Sequence, residues 1–477
     1  MKRVSISTIL NGTIFLLLFL AISIIDYGKN ISVDIAPAVI TTGSAALFII
    51  EVLQLRKHNI GLFSIIFVFV VLCHVFFLGN FYLKAFGQEE FYVYNDWLSN
   101  DPQLKIEAGL FSLLTIHALF MGIIIALDKY SDNTRREYKF ALGLNESDKS
   151  KVILRTGFLL LLIGMPFHLI LDISRIRYSA IANMYTGFEG SVGLADDLYV
   201  FLVPAIICLL FGKRNNKRIC NFVLWIYLIW TLIVMAASGA RREYATGIIA
   251  VVLCYYSIFQ NNRHKGHFVR NIIIVLLGII LLNFLTMIRE YRHTQLGISY
   301  LLTEHIEDLF SLNFLGETIA EFSLTGSPIY FSIKYFPSTI PYQYGFTYIA
   351  STIYILPIGW LVSLNSSIGS MLYSLTGWAA GGSLAADLYA NWGWVSTIFA
   401  VIIGFIVGRF CDTRSDNVDT LTLSSVAAFS LGYIFLTYPR ASTSEVMRHG
   451  AYIILMMYFL FRSFSLNIIK RSRDYLN

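Results

Sequence analysis

Four places in this sequence set arginines close together: Arg175/Arg177, Arg241/Arg242, Arg289/Arg292 and Arg440/Arg448. A guanidinium is planar, permanently charged and bidentate towards phosphate, so several converging on one cavity would clamp a pyrophosphate. Each pair also has a plainer use, as ion-pair partner of Glu243, Glu290 or Glu445, or reaching lipid phosphates along its apolar stem. Proton-transfer groups stand beside them. Glu290 and His293 flank Arg292, His449 follows Arg448, and Glu304, His305, Glu307, Asp308, Glu317 and Glu321 follow in the same long stretch. Transfer of a group onto a hydroxyl needs a base for the released proton, and His293 and His449 lie nearest the arginines. A lone histidine equally serves as a structural or interfacial residue.

The segment from Gly381 to Trp394 is a third candidate. Its paired glycines Gly381 and Gly382 allow close backbone approach, and Ser383, Asp387, Tyr389 and Asn391 bring polar groups to the start of an apolar helix. Asp387 and Asn391 are four apart and share one helix face, which suits either a substrate contact or an N-cap with a polar packing stripe.

No Gly-rich nucleotide loop, zinc-ligand spacing or nucleophile elbow occurs. The five cysteines are scattered without a CxxC spacing, so neither a disulfide frame, a metal site nor a cofactor is expected. The energy for any transfer must then lie in the substrate, as in a donor already activated on a lipid.

The elements that position these residues are read from composition. The chain is 56% hydrophobic and 14% charged with a mean hydropathy of +0.65, far from the soluble balance of about 25% charged. Nearly uncharged windows of roughly 18 to 25 residues recur throughout, each long enough for a hydrocarbon core about 30 Å thick. They place helices near Ile6–Ile25, Ile35–Leu53, Ile60–Leu78, Ile106–Leu127, Val152–Asp172, Leu198–Phe211, Ile219–Ala237, Tyr244–Phe259, Ile272–Ile288, Leu388–Val407, Leu421–Leu436 and Ala451–Ile469. The expected fold is an all-α polytopic membrane bundle of about 12 transmembrane helices over residues 1–477, one transmembrane domain. The first window is too long for a secretory leader and lacks a small-residue cleavage site, so it reads as a retained helix.

Lysine and arginine favour cytoplasmic loops. Lys2/Arg3, Arg56/Lys57, the basic run from Lys129 to Lys151, Lys213 to Arg218 and Arg263 to Arg270 alternate consistently if the N-terminus is inside. The net charge of +6 is spread over these loops, which fits orientation signals and no nucleic-acid partner. The window Phe346–Leu364 is decided by parity, since crossing there would put Lys470, Arg471 and Arg473 outside. It therefore reads as interfacial or re-entrant, with Pro357 and Gly359 at its middle. Residues 289–387 then form one large extracytoplasmic loop, and all four arginine pairs fall on the outer side. The loop's rings, Tyr330, Tyr335, Tyr342, Tyr344, Tyr348, Tyr354, Trp360, Tyr373 and Trp378, suit the headgroup level or a sugar-stacking surface.

These features together resemble the O-antigen polysaccharide polymerases (Wzy). The likeness rests on the helix pattern and three stretches: Ser238-Gly239-Ala240-Arg241-Arg242-Glu243; the outer loop with Arg289-Glu290-Tyr291-Arg292, Gly345-Phe346-Thr347-Tyr348 and Ile355-Leu356-Pro357; and Gly382-Ser383 through Asp387, Tyr389, Asn391 and Gly393. The resemblance implies an enzyme of the bacterial inner membrane, both termini cytoplasmic, its active site facing the periplasm. It would join undecaprenyl-pyrophosphate-linked oligosaccharide units, with a chain-length regulator and a flippase as partners. It also implies pyrophosphate contacts for Arg241, Arg242, Arg289 and Arg292, and an acidic residue, often Glu, at Asp387; Arg440 and Arg448 are added from topology alone. Three other readings stay open. An O-antigen ligase shares the helix count and arginines. A lipid-phosphate-sugar-dependent glycosyltransferase would pair acids in the first outer loop, where Asp26 and Asp34 lack a neighbouring acid. A flippase would show repeated halves and charges within its spans, whereas here the charge reads as lying at span ends.

Overall fold

The computed structural model describes residues 5–87, 101–130, 138–141, 143–182, 195–238, 242–259, 278, 312–356, 367–377, 381–412 and 422–474. Its principal helices are α1 (Ile6–Ile24), α2 (Ala36–Lys57), α3 (Ile65–Ala85), α4 (Pro102–Lys129), α5 (Glu146–Ala182), α6 (Leu202–Gly212), α7 (Lys217–Ser238), α8 (Arg242–Phe259), α9 (Leu312–Ser323), α10 (Gly326–Tyr335), α11 (Phe346–Ile353), α12 (Ile368–Thr376), α13 (Leu384–Trp392), α14 (Ser396–Phe410), α15 (Leu423–Thr437) and α16 (Thr443–Asp474). No strand occurs among the described residues.

Helix starts follow local chemistry. The Ser5 hydroxyl accepts the Thr8 N–H at 3.0 Å before α1, and Ser64 accepts the Phe67 N–H at 3.1 Å before α3. Asp101 accepts the N–H groups of Gln103 and Leu104 ahead of Pro102, which loses nothing by lacking a donor at the first helical position.

Nine stretches among the described residues are long and apolar enough to cross a bilayer. Their outward faces carry residues such as Leu17, Phe222, Trp225 and Phe459, each more than half exposed. Continuous apolar faces of that kind belong against lipid rather than water, and the chain is a multi-pass membrane protein. The expected twelve are not all of that length. The window Ile272–Ile288 lies outside the described residues, and α15 has 15 residues, about 22 Å at 1.5 Å per residue. The window Tyr244–Phe259 forms only a shorter apolar helix. Within Phe346–Leu364 the helix stops at Ile353, eight residues and far too short to cross; 357–364 lie outside the described residues.

The chain packs into two compact units. The first comprises residues 1–134, 319–414 and 434–452. At its centre is α4, whose apolar window is 89% buried. It lies backbone to backbone on α14, because Gly122 faces the Val401 carbonyl and Gly404 faces that of Leu119 so closely that any Cβ would collide. Inside this unit Glu51 of α2 is fully buried, with Oε2 2.9 Å from His74 Nε2. His74 Nδ1 in turn lies 2.8 Å from the Ser44 hydroxyl.

The second unit comprises residues 135–318, 415–433 and 453–477. Here α5 runs for 37 residues through Pro166, continuing ten residues past the expected end at Asp172. Arg175 and Arg177 are therefore helical residues rather than loop residues. Glu51 and Asp172, both fully buried inside long apolar helices, also correct the expectation that charge lies only at span ends. Neighbouring side chains take the place of water, three of them around Asp172 and His74 at Glu51 Oε2.

Candidate functional site

Two polar centres emerge, one in each unit. In the first unit, Gly381 adopts φ +77° and delivers Gly382 against the turn after Arg440, where a Cβ would stand 2.7 Å from the Ala441 carbonyl carbon. Only glycine allows that approach. Helix α13 then begins at Leu384 and is buried from end to end through Asn391.

Asp387, one turn into α13, does cap a helix, but a different one. Its Oδ2 accepts the N–H of Thr443 at 2.6 Å, and Thr443 is the first residue of α16. A carboxylate there satisfies an orphan donor and lies at the positive end of the helix dipole. The other oxygen, Oδ1, is buried with no hydrogen-bond partner. Burial pushes the neighbouring phenols of Tyr348 and Tyr438 up, with the Asp387 charge adding to the effect, so both remain protonated. Tyr438 and Thr443 bring their hydroxyls within 3.2 Å of each other. The short turn Tyr438–Arg440 and the first two turns of α16 bring Arg440, Glu445, Arg448 and the buried His449 to the same end of α16 that Asp387 caps.

Asn391 shares the Asp387 face, as four-residue spacing predicts, and its side chain is committed to the fold. Its Oδ1 accepts the Gly345 N–H at 2.9 Å, and its Nδ2 donates to the Asp387 carbonyl at 2.7 Å and to Thr347 Oγ1 at 2.8 Å. It thereby fastens the left-handed Gly345 turn that opens α11. Tyr389 belongs to a separate aromatic group, edge-on to Phe111 at 5.0 Å with its hydroxyl 3.5 Å from Glu107 Oε1, an oxygen that also accepts Trp394 Nε1 at 3.2 Å. Of the rings expected at the headgroup level, Tyr344 and Tyr373 are exposed, whereas Tyr330 is only 1% exposed and sits in the core; Trp360 and Trp378 lie outside the described residues. Tyr348 stacks on Trp392 at 5.2 Å.

The second centre, in the other unit, is built around Asp172. Its Oδ2 accepts Trp230 Nε1 at 2.9 Å and lies 3.0 Å from His168 Nδ1, while Oδ1 accepts the Tyr244 hydroxyl. Arg175 donates to that hydroxyl at 3.0 Å and lies over the Tyr244 ring, 5.5 Å from its centroid. Three helices, α5, α7 and α8, are thus joined through one carboxylate. Of the sequence-predicted arginines, Arg175 is fixed here by Tyr244, which stands two residues after Arg242 in α8. Arg177 is exposed one helical step away. Arg241 and the side chains of Arg242 and Glu243 lie outside the described residues, as do Arg289, Glu290, Arg292 and His293.

His168, Asp172, Trp230 and Tyr244 were not singled out from the sequence. The available signal was a histidine and a carboxylate at i, i+4 on an apolar helix, where an ionisable residue asks for a partner.

A family model described as O-antigen polysaccharide polymerase Wzy matches residues 9–472. No curated protein and no solved structure matches the chain.

Proposed function

The chain belongs to the O-antigen polysaccharide polymerase Wzy family, and on that premise we propose that it polymerises undecaprenyl-pyrophosphate-linked oligosaccharide repeat units at the outer face of the inner membrane. The observation that carries this reading is the family match along nearly the whole chain, over a body of membrane-length helices. In the reaction the bond from the donor's anomeric carbon to the pyrophosphate oxygen breaks and a bond to the acceptor hydroxyl forms. The hydroxyl proton passes to a base, and the electron pair leaves on undecaprenyl pyrophosphate.

Arginine is suited to the charge on that leaving group. Arg241, Arg242, Arg289 and Arg292 would stabilise it, and Arg175, held by its hydrogen bond to Tyr244, would join them. Fixed donors aimed at developing charge are worth about 10²–10³-fold each in rate. A clamp of this kind needs no metal ion, and metal-independent transfer is part of the proposal. Asp387 Oδ1 offers an acceptor to a sugar hydroxyl, near Arg440, Arg448 and His449; His293 and His449 are the candidate bases. The large loop 289–387 would frame the site on the periplasmic side of a single transmembrane domain, with both termini cytoplasmic, in company with a flippase and a chain-length regulator.

Surface glycan from a strain lacking the chain tests this reading. A polymerase deletion leaves single-repeat glycan, a flippase deletion leaves none, and a ligase deletion leaves lipid A core bare. Complementation with Arg241→Ala or Arg289→Ala should leave protein in the membrane and only single repeats. Wild-type ladders in both variants would remove the arginine clamp.

A further inference from the structure

A cavity of about 110 Å³ lies within the first unit, between α3, α4 and α10. Lys84 near the end of α3 and Lys105 near the start of α4 both line it, with the apolar side chains of Phe77, Phe81 and Ile106. No lining residue carries a carboxylate, and neither ammonium has a carboxylate within ion-pair distance among the described residues. Asp101, four residues before Lys105, is engaged in capping α4. Tyr330 of α10 also lines the cavity; it is 1% exposed and its hydroxyl has no hydrogen-bond partner.

The cavity therefore combines two like charges, an unsatisfied buried hydroxyl and an apolar wall. Like charges sharing a small cavity repel one another unless an anion lies between them, and a buried hydroxyl without a partner is destabilising until one arrives. An anion that satisfied the lysines and the tyrosine, and carried an apolar chain for the phenylalanines, would match this lining, since Asn80 and Ser112, which also border the cavity, already donate to the carbonyls of Ser323 and Ala108. We propose that this cavity seats the phosphate of a polyprenyl-linked substrate, with the first part of its chain along Phe77, Phe81 and Ile106. The lipid's identity rests on the polymerase reading, in which two lipid-linked units must be held at once, a donor and an acceptor. The lysine cavity would hold one, and the arginines are assigned to the other.

Native mass spectrometry of the purified full-length chain tests this with undecaprenyl phosphate, undecaprenol and inorganic phosphate as probes. Two bound undecaprenyl phosphates are expected for the wild type and one for the Lys84→Ala/Lys105→Ala double variant. The Lys84→Arg/Lys105→Arg variant should keep two, and Tyr330→Phe should weaken the second several-fold. Two equivalents bound by the alanine variant would overturn the proposal even if its glycan ladder is normal, and the polymerase reading would stand. Occupancy of the cavity by inorganic phosphate or undecaprenol as tightly as by undecaprenyl phosphate would also overturn it. A deletion strain with no polymerisation defect would sink the polymerase reading without altering these binding counts.

Discussion

Asp172 and Asp387 are both buried carboxylates within long apolar helices, yet their surroundings differ in kind. Asp172 is saturated: Trp230, Tyr244 and His168 all address it, and they come from three helices. Asp387 receives one backbone N–H on one oxygen while the other remains without a partner. Asp172 has given both of its oxygens to the fold. A carboxylate with a free oxygen retains acceptor capacity that burial makes costly, and such capacity is kept where a ligand completes it. The comparison marks Asp172 as part of the architecture and is the ground on which Asp387 is proposed as a substrate contact.

The largest stability effect is expected at the saturated acid. Asp172→Ala leaves the Trp230, Tyr244 and His168 donors buried without an acceptor, at a cost of about 3 kcal/mol or more. Melting of the detergent-solubilised protein should fall sharply or the chain should fail to accumulate; a melt within a degree or two of wild type would refute the architectural role. Asp387→Asn comes next and reverses the pattern. The amide oxygen can still cap α16, so melting should hardly move, while glycan chain length should collapse with a loss on the order of 10²-fold in polymerisation. If the Asn variant melts early and polymerises normally, the two acids have been assigned the wrong way round. Tyr244→Phe is the mildest, removing one hydroxyl that both donates to Asp172 and accepts from Arg175. A loss of about 1–2 kcal/mol is expected, with polymerisation reduced because Arg175 loses its anchor; unchanged activity would detach Arg175 from the site.

How far the sequence carries is visible in the same residues. Helical class and membrane location were legible because apolar windows of bilayer length leave few alternatives, and the four-residue spacing of Asp387 and Asn391 did place them on one face. What spacing could not reveal was the partner. The N–H that Asp387 caps belongs to Thr443, 56 residues later, and the turn that Asn391 fastens is 44 residues earlier. Likewise α5 was read as ending at Asp172, because a charged residue after an apolar run looks like an exit from the membrane. It continues because Trp230 and Tyr244, from two other helices, replace water around that charge. Tyr330 was read as interfacial for the same reason in reverse, since nothing local marks a tyrosine that neighbouring helices enclose. The lysines of the cavity drew no notice either, because Lys84 and Lys105 are single charges at helix ends until the fold brings them to one cavity.

Purified protein in proteoliposomes, supplied only with an undecaprenyl-pyrophosphate-linked repeat unit and a chelator, tests the account's central claim most directly. A ladder of multi-repeat products with release of undecaprenyl pyrophosphate is the predicted result. Absence of any ladder until Mg²⁺ or Mn²⁺ is restored would contradict an arginine clamp acting without metal.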